Sequence, residues 1–120
     1  MLLVFLVIII ILSCVQSHKL FLNLSYNLNI SIVLIIFSHI LHIILFSYIY
    51  YLEIDNMIGI NNKTYFDLIY YSVSTYTTLG VGDIYFVGSA RLVSGVQAIV
   101  GLIMIAWSAS HIYLKIKKED

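Results

Sequence analysis

The stretch that decides the fold is residues 75–84, which read TYTTLGVGDI. Gly80 and Gly82 alternate with apolar residues there, and the carboxylate of Asp83 follows directly. Glycine takes positive φ at no steric cost, so two glycines two residues apart let the backbone alternate its handedness. Such a strand can point successive carbonyl oxygens to one side, and several strands around an axis form oxygen cages that replace an ion's water. The stretch therefore predicts a cation site built from backbone carbonyls.

The composition is that of a membrane protein. Hydrophobic residues make up 62% of the 120 residues, charged residues 10%, and the mean hydropathy is +1.03. The formal net charge of zero gives no indication of nucleic-acid binding. Cys14 is the only cysteine, so an intrachain disulfide is excluded, and we expect it to pack as a small apolar residue. Because no catalytic triad, phosphate loop or cysteine cluster appears, we expect no enzyme activity and no cofactor.

Three apolar segments approach the roughly 20 residues that a membrane helix needs. They are residues 2–22, 30–52 and 90–114. The polar residues 23–29 separate the first two segments as a short loop. Residues 1–17 leave an alternative open, because they could be a cleaved signal peptide; the absence of a basic residue at their start favours a retained helix.

A fourth, shorter helix is predicted over residues 65–78, and Asp67 near its start suits the positive end of a helix dipole. About 13 residues rise about 20 Å, which is too short to cross a bilayer and suits a re-entrant segment. The irregular backbone of residues 79–82 is tolerated at membrane depth only when it is buried in protein or lines water. The motif thus requires an assembly.

The charged residues predict the orientation. An excess of lysine in residues 115–118 indicates a cytoplasmic C-terminus of a multi-pass protein of the cell membrane. The polar loop of residues 53–64 and the mouth of the cation site then face outside. The sequence has no run of regularly spaced arginines, and hence no voltage-sensor helix of the charged type.

Residues 77–83, behind a short aromatic helix and between two spans, resemble the selectivity filter of potassium channels. The resemblance implies a pore helix that ends below the filter, and a homotetramer in the lipid bilayer, because each chain supplies one strand. It implies that potassium, as the permeant ion rather than a cofactor, binds at Thr78, Leu79, Gly80 and Val81, with Gly82 completing the filter.

A second resemblance concerns the last span. Arg91, followed by Leu92 and Val93, and Gly101 ten residues beyond the arginine, are similar to the inner helix of several bacterial potassium channels. This similarity implies a gating hinge at Gly101, whose alternative is a small residue for close helix packing. It also places Arg91 with Asp83 at the outer mouth, where the two are expected to pair within or between chains.

Together these features predict an all-α membrane protein with two parts. Residues 1–29 form an extra N-terminal membrane helix and its loop. Residues 30–120 form an ion-channel pore domain, with an outer helix at 30–52, a re-entrant pore helix and filter at 65–83, and an inner helix at 90–114. The whole resembles small bacterial membrane proteins of the ion-channel family.

The chain departs from the potassium-channel pattern at two positions. Val81 stands where the family usually has an aromatic residue, and Tyr70 and Tyr71 are candidates to fill that gap. Ser74 stands where some members have a glutamate, and we expect its hydroxyl to reach Asp83. Three functions therefore stay open: a potassium channel, a weakly selective channel for monovalent cations, and a non-conducting accessory subunit.

Several polar side chains lie at membrane depth. His39 and His42, three residues apart, form either half of a metal site or, as we favour, a polar contact between helices. Gln97 is expected to face the short helix or a neighbouring subunit. His111 is either a pH-sensitive gate residue or, as we favour, a polar residue at the helix end.

Overall fold

The computed structural model describes residues 2–24 and 27–119. Within them, three helices are long and apolar enough to cross a membrane. They are α1 (Leu2–Leu24), α2 (Leu28–Leu52) and α4 (Ser89–Glu119). These confirm the three predicted spans, although α4 extends five residues beyond its predicted end at residue 114. The break between α1 and α2 is also shorter than the predicted polar loop, since α2 already begins at Leu28.

The loop after α2 contains a short strand that the sequence did not predict. A turn of 3₁₀ helix (Ile54–Asn56) leads into β1 (Met57–Ile58), which pairs antiparallel with β2 (Tyr85–Phe86). A Cβ added at Gly59 would lie 2.1 Å from the carbonyl oxygen of Asp83, so only glycine allows this approach. The pair of strands therefore anchors the chain directly after the TYTTLGVGDI stretch.

The short helix α3 (Tyr65–Tyr76) begins with a capping box. The backbone N–H of Thr64 donates to Asp67 Oδ2 at 2.8 Å, and the backbone N–H of Asp67 donates to Thr64 Oγ1 at 3.4 Å. The hydrogen bonds from the side chain and backbone of Thr64 lower the pKa of the Asp67 carboxyl below its usual value. A negative charge is thus kept at the N-terminus of α3, where the helix dipole favours it.

The end of α3 falls at Tyr76, two residues before the predicted end. Thr77 caps the helix: its backbone N–H donates to the carbonyl of Val73 at 3.0 Å and its hydroxyl to the same oxygen at 2.8 Å. Thr78 then takes a φ of +59°, which no right-handed helix accommodates. The helix therefore stops where the backbone handedness changes.

An aromatic core joins α2, α3 and the strand β2. The rings of Tyr50, Tyr71 and Phe86 lie 4.9 Å apart in each pairing. Phe46 and Leu68 are fully buried beside them. These ring contacts fix α3 against α2 and β2, because large buried rings contribute strongly to packing.

The N-terminal helix is part of the same core rather than a separate element. Ile10 and Cys14 of α1 belong to the buried apolar cluster, and Cys14 is fully buried with a free thiol, as its predicted packing role requires. Elsewhere in the bundle, the ammonium of Lys115 in α4 donates to the hydroxyl of Ser31 in α2. Apolar packing thus joins α1 to the core, and a hydrogen bond joins α4 to α2.

Gly101 lies where α4 crosses the end of α3. A Cβ added there would lie 2.0 Å from the carbonyl oxygen of Tyr76 and 2.9 Å from its carbonyl carbon. Gly101 therefore lies at a close packing contact between α4 and α3, which is the alternative to a hinge that the sequence left open. The hinge stays a prediction.

We expect Gly101→Ala to destabilise the protein by about 1–3 kcal/mol, because the new methyl group meets backbone that cannot rotate away. Gly95→Ala is the matched control, since nothing lies within 4 Å of a Cβ added there. The control should gain up to about 1 kcal/mol from the better helix propensity of alanine. Denaturant unfolding in detergent micelles measures both, and equal effects would contradict the close packing.

Candidate functional site

The segment that follows α3 is exposed throughout residues 77–83. Its backbone alternates in handedness: φ is +59° at Thr78, +59° at Gly80 and +81° at Gly82, while Leu79 and Val81 between them do not take positive φ. Among the described residues, Thr78 is the only non-glycine residue with positive φ. Such an outlier persists only where its surroundings impose it, and these cluster at functional sites.

Ser74 of α3 holds the middle of this segment. The backbone N–H of Gly80 donates to the Ser74 carbonyl at 3.2 Å, and the N–H of Val81 donates to the Ser74 hydroxyl at 3.3 Å. The predicted contact between this hydroxyl and Asp83 is wrong, because the Asp83 carboxylate has other partners. Ser74 is buried behind the segment, so its hydroxyl meets a backbone amide there and leaves Asp83 to another donor.

That donor is Tyr70. Its hydroxyl lies 3.2 and 3.1 Å from the two carboxylate oxygens of Asp83, and the N–H of Ile84 donates to Oδ1 at 3.0 Å. Partial desolvation, together with the hydrogen bond to Asp83 and its negative charge, raises the pKa of Tyr70 above its usual value. The tyrosine therefore stays protonated and continues to donate at all physiological pH values.

The predictions for Tyr71 beside Val81 and for the pair of Asp83 and Arg91 have different outcomes. Tyr71 turns into the aromatic core and its hydroxyl lies 2.7 Å from Ser94 Oγ, so it is not available to Val81. The Val81 side chain is 54% exposed within the chain. No ion pair joins Asp83 to Arg91 in the part of the chain that the structure describes, and Arg91 is exposed. The other alternative, pairing of Asp83 with Arg91 between chains, stays a prediction.

A buried polar clamp fixes the middle of α3 to its neighbours. The amide nitrogen of Gln97 in α4 donates to the hydroxyl of Ser72 at 2.7 Å and to its carbonyl at 3.2 Å. Tyr50 of α2 donates to Gln97 Oε1 at 2.6 Å, and Ser72 donates to the carbonyl of Ile43 at 2.8 Å. Gln97 faces the short helix, one of the two predicted positions, and all of its buried polar atoms have partners.

A second polar network lies at the end of α3. The hydroxyl of Tyr76 is 2.8 Å from His39 Nδ1 and 3.1 Å from His42 Nδ1, while His39 Nε2 is 3.0 Å from the hydroxyl of Ser108. His18 of α1 joins the same network, with Nδ1 3.1 Å from Ser38 Oγ and Nε2 3.2 Å from Ser108 Oγ. The favoured prediction of a polar contact between helices is confirmed. In residues 2–24 and 27–119, no group of histidine, cysteine, aspartate or glutamate side chains could hold a metal ion.

Tyr76 is a residue of this site that the sequence did not predict, since its local pattern does not distinguish it from the other tyrosines of α3. One signal was available: Tyr76 directly precedes the threonine pair and lies about one helical turn after Ser72, which faces the core. A helix face that carries Ser72 and Tyr76 points toward the interior and therefore toward polar partners.

The fold and this site together define a class: a multi-pass membrane protein with a short helix that presents a segment of alternating backbone handedness. A family model described as an ion channel matches residues 30–117. Because the match covers most of the chain, the protein belongs to this ion-channel family, consistent with small potassium channels that have two membrane helices. No curated protein and no solved structure matches the chain.

The match spans α2, α3 and α4 and leaves α1 outside. Membership of this family therefore supports ion conduction in general. Ion conduction is a transport function and not an enzymatic one. The predicted extra N-terminal helix is present as α1, beyond the matched residues.

We expect Tyr70→Phe to loosen the segment that ends at Asp83, because the carboxylate loses the hydroxyl that donates to it. Amide hydrogen exchange of a peptide covering residues 77–84 should become severalfold faster. Tyr85→Phe is the control, since Tyr85 is equally exposed and its hydroxyl makes no hydrogen bond within the described residues. Unchanged exchange in Tyr70→Phe would show that Asp83 does not depend on this contact.

Proposed function

We propose that four copies of this chain form a pore that conducts potassium ions passively across the cell membrane. The selectivity filter is formed by Thr78, Leu79, Gly80, Val81 and Gly82, and potassium binds at the first four. The observation that carries the proposal is the alternation of φ along residues 78–82. Alternate handedness is the backbone form in which successive carbonyls can face one axis and replace the water of an ion.

Exposure of the filter segment supports assembly. The apolar side chains of Leu79 and Val81 are 68% and 54% exposed within one chain. At membrane depth an irregular backbone must be covered by protein or line water, and a single chain does neither on all sides. Neighbouring chains around an axis supply that cover, and the resemblance to potassium channels gives their number as four.

The position of α3 supports a cation as the transported species. Its 12 residues rise about 18 Å, so the helix enters the membrane without crossing it. Its C-terminal end lies directly before the filter segment and carries the equivalent of about half a negative charge. With Lys117 and Lys118 at the cytoplasmic end of α4, the filter mouth and Asp83 face outside, and Arg91 meets Asp83 of a neighbouring chain.

The clamp at Gln97 supports a hinge at Gly101. Gln97 holds α4 to α3 and α2 one turn before the glycine, so that part of α4 is fixed. Gly101 is the next point where α4 contacts the end of α3, and glycine weakens a helix there. Bending at Gly101 moves the cytoplasmic half of α4 and leaves the filter in place.

Val81 favours a second candidate, a weakly selective channel for monovalent cations of the same fold. Tyr70 and Tyr71, the two candidates to compensate for the missing aromatic residue, have other partners. A filter that is less firmly supported can adapt to the smaller sodium ion, because selectivity depends on how the oxygen cage holds its size and field strength.

Potassium flux into proteoliposomes tests conduction. Gly80→Ala should reduce the flux to background, because the filter needs φ of +59° at that position. Gly88→Ala is the matched control: its φ is +65°, nothing lies within 4 Å of an added Cβ, and it lies outside the filter. The control should retain most of the flux. Tetramers that form without any flux would instead indicate an accessory subunit.

The reversal potential with potassium on one side and sodium on the other decides between the two candidates. A value far from zero supports a potassium channel, whereas a value near zero supports a weakly selective one. We expect Val81→Tyr to shift the reversal potential toward that of potassium, because a larger side chain supports the filter from behind. Val81→Leu, which adds apolar volume without a ring or hydroxyl, is the control and should shift it less.

A further inference from the structure

The helix α4 has two sides that differ in what they contact. One stripe, spaced every three or four residues, is buried within the chain and consists of Val93, Gln97, Val100, Met104 and Ser108. The opposite side is exposed in a single chain and is named the free face here. Its residues follow the same spacing and are Ile99, Leu102, Ala106, Ser110, Tyr113 and Lys117. The free face thus continues to the last turn of α4.

The buried stripe carries the contacts of α4 with the rest of the chain. Gln97 bonds to α3 and α2, and Ser108 bonds to α1 and α2. The three helices that surround α4 in its own chain therefore lie on one side of it. When several chains assemble around an axis, the free face is the side of α4 left for the axis and for the neighbouring chains.

The crossing at Gly101 fixes the level at which α4 meets the filter. A Cβ added at Gly101 would lie 2.0 Å from the carbonyl oxygen of Tyr76, and the filter begins two residues later at Thr78. Lys117 follows Gly101 by 16 positions (117 − 101), which is a rise of about 24 Å along the helix. Lys117 is therefore placed where the space enclosed by assembled α4 helices would open to the cytoplasm.

The three lysines at the end of α4 point in different directions. Lys115 donates to the hydroxyl of Ser31 in α2, and Lys118 lines a small cavity together with Lys115. Both side chains thus lie on the side of α4 that faces its own chain. Lys117 instead follows Tyr113 of the free face by four residues, so it shares that face.

We propose that four Lys117 ammonium groups form a ring at the cytoplasmic mouth of the pore, and that this ring slows the entry of cations from the cytoplasm. The proposal rests on the proposed function, because it takes the pore of four chains as given. Within residues 89–119, Glu119 is the only acidic residue, and it follows Lys115 by four positions, so it lies on the side away from the ring. Potassium ions then enter more readily from outside, and inward current exceeds outward current.

Coulomb's law gives the size and the signature of the effect. Four unit charges about 10 Å from the axis lower the local cation concentration in water by roughly sevenfold at about 0.01 M salt. At about 0.1 M salt the Debye length is about 10 Å and the reduction is roughly threefold, and at about 1 M it is nearly zero. The asymmetry between inward and outward current should therefore disappear as salt is added, whereas an asymmetry caused by the shape of the pore would remain.

The position of Lys117 is tested without any current. Spin labels on Lys117→Cys in lipid nanodiscs report distances between chains, and the native Cys14 is fully buried. A fourfold ring gives two distances, of which the diagonal is about 1.4 times the side. We expect both distances to be shorter than those from Lys118→Cys, the matched control on the other side of the helix. Longer distances at residue 117 than at residue 118 would refute the ring.

The effect of the ring is tested by single-channel currents with equal potassium chloride on both sides of a planar bilayer. We expect inward current to exceed outward current severalfold at about 0.01 M salt and to equal it at about 1 M. Lys117→Gln should remove the asymmetry, and Lys118→Gln should retain it. Symmetric currents of the unsubstituted protein at low salt, or an asymmetry that persists in Lys117→Gln, overturn the role of Lys117.

Lys117→Cys also tests the sign of the charge. A thiosulfonate reagent with a quaternary ammonium group restores a positive charge at this position, and one with a sulfonate group introduces a negative charge. We expect the first reagent to restore the asymmetry and the second to reverse it, both from the cytoplasmic side. Equal effects of the two reagents would assign the change to size and contradict the proposal. Absence of current in every variant, with the short distances at residue 117 intact, contradicts the proposed conduction and leaves the ring in place.

Discussion

The structure depends on one constraint: a stretch of non-helical backbone has to be held in a membrane protein without using its own carbonyl groups. Ser74 meets this constraint by binding the segment only through its N–H groups, at Gly80 and Val81. The carbonyl oxygens thus stay available for another ligand, which in a bilayer has to be water or an ion. Buried polar clusters and the aromatic core hold α3 in position, and α3 in turn positions Ser74.

Two buried polar clusters, in addition to the aromatic core, keep α3 in position. Gln97 joins α4 to Ser72 and Tyr50 at the middle of α3, and the histidine network joins all four helices at its end. Fully satisfied networks of this kind fix a single arrangement, because any shift leaves a buried polar group without a partner. Apolar packing alone would allow α3 to slide, since helix surfaces in a membrane are equally apolar on many sides.

The helix α1, which lies outside the family match, is hydrogen-bonded to the polar network at the end of α3. His18 of α1 bonds to Ser38 of α2 and Ser108 of α4, and Ser17 bonds to His42. Ser108 lies on the C-terminal side of Gly101 in α4, and its hydrogen bonds to His18 and His39 join that part of α4 to α1 and α2.

The sequence by itself determined the features that are local in the chain. The three spans follow from apolar length, the short helix from its position between Asp67 and the threonine pair, and the alternating handedness from Gly80 and Gly82, because each depends on neighbouring residues. Only the tertiary structure decided which polar groups meet. Tyr70 rather than Ser74 binds Asp83, β1 pairs with β2, and His18 reaches Ser108 ninety residues away. A hydrogen bond depends on distances of a few tenths of an ångström, which helix packing sets and residue spacing alone does not.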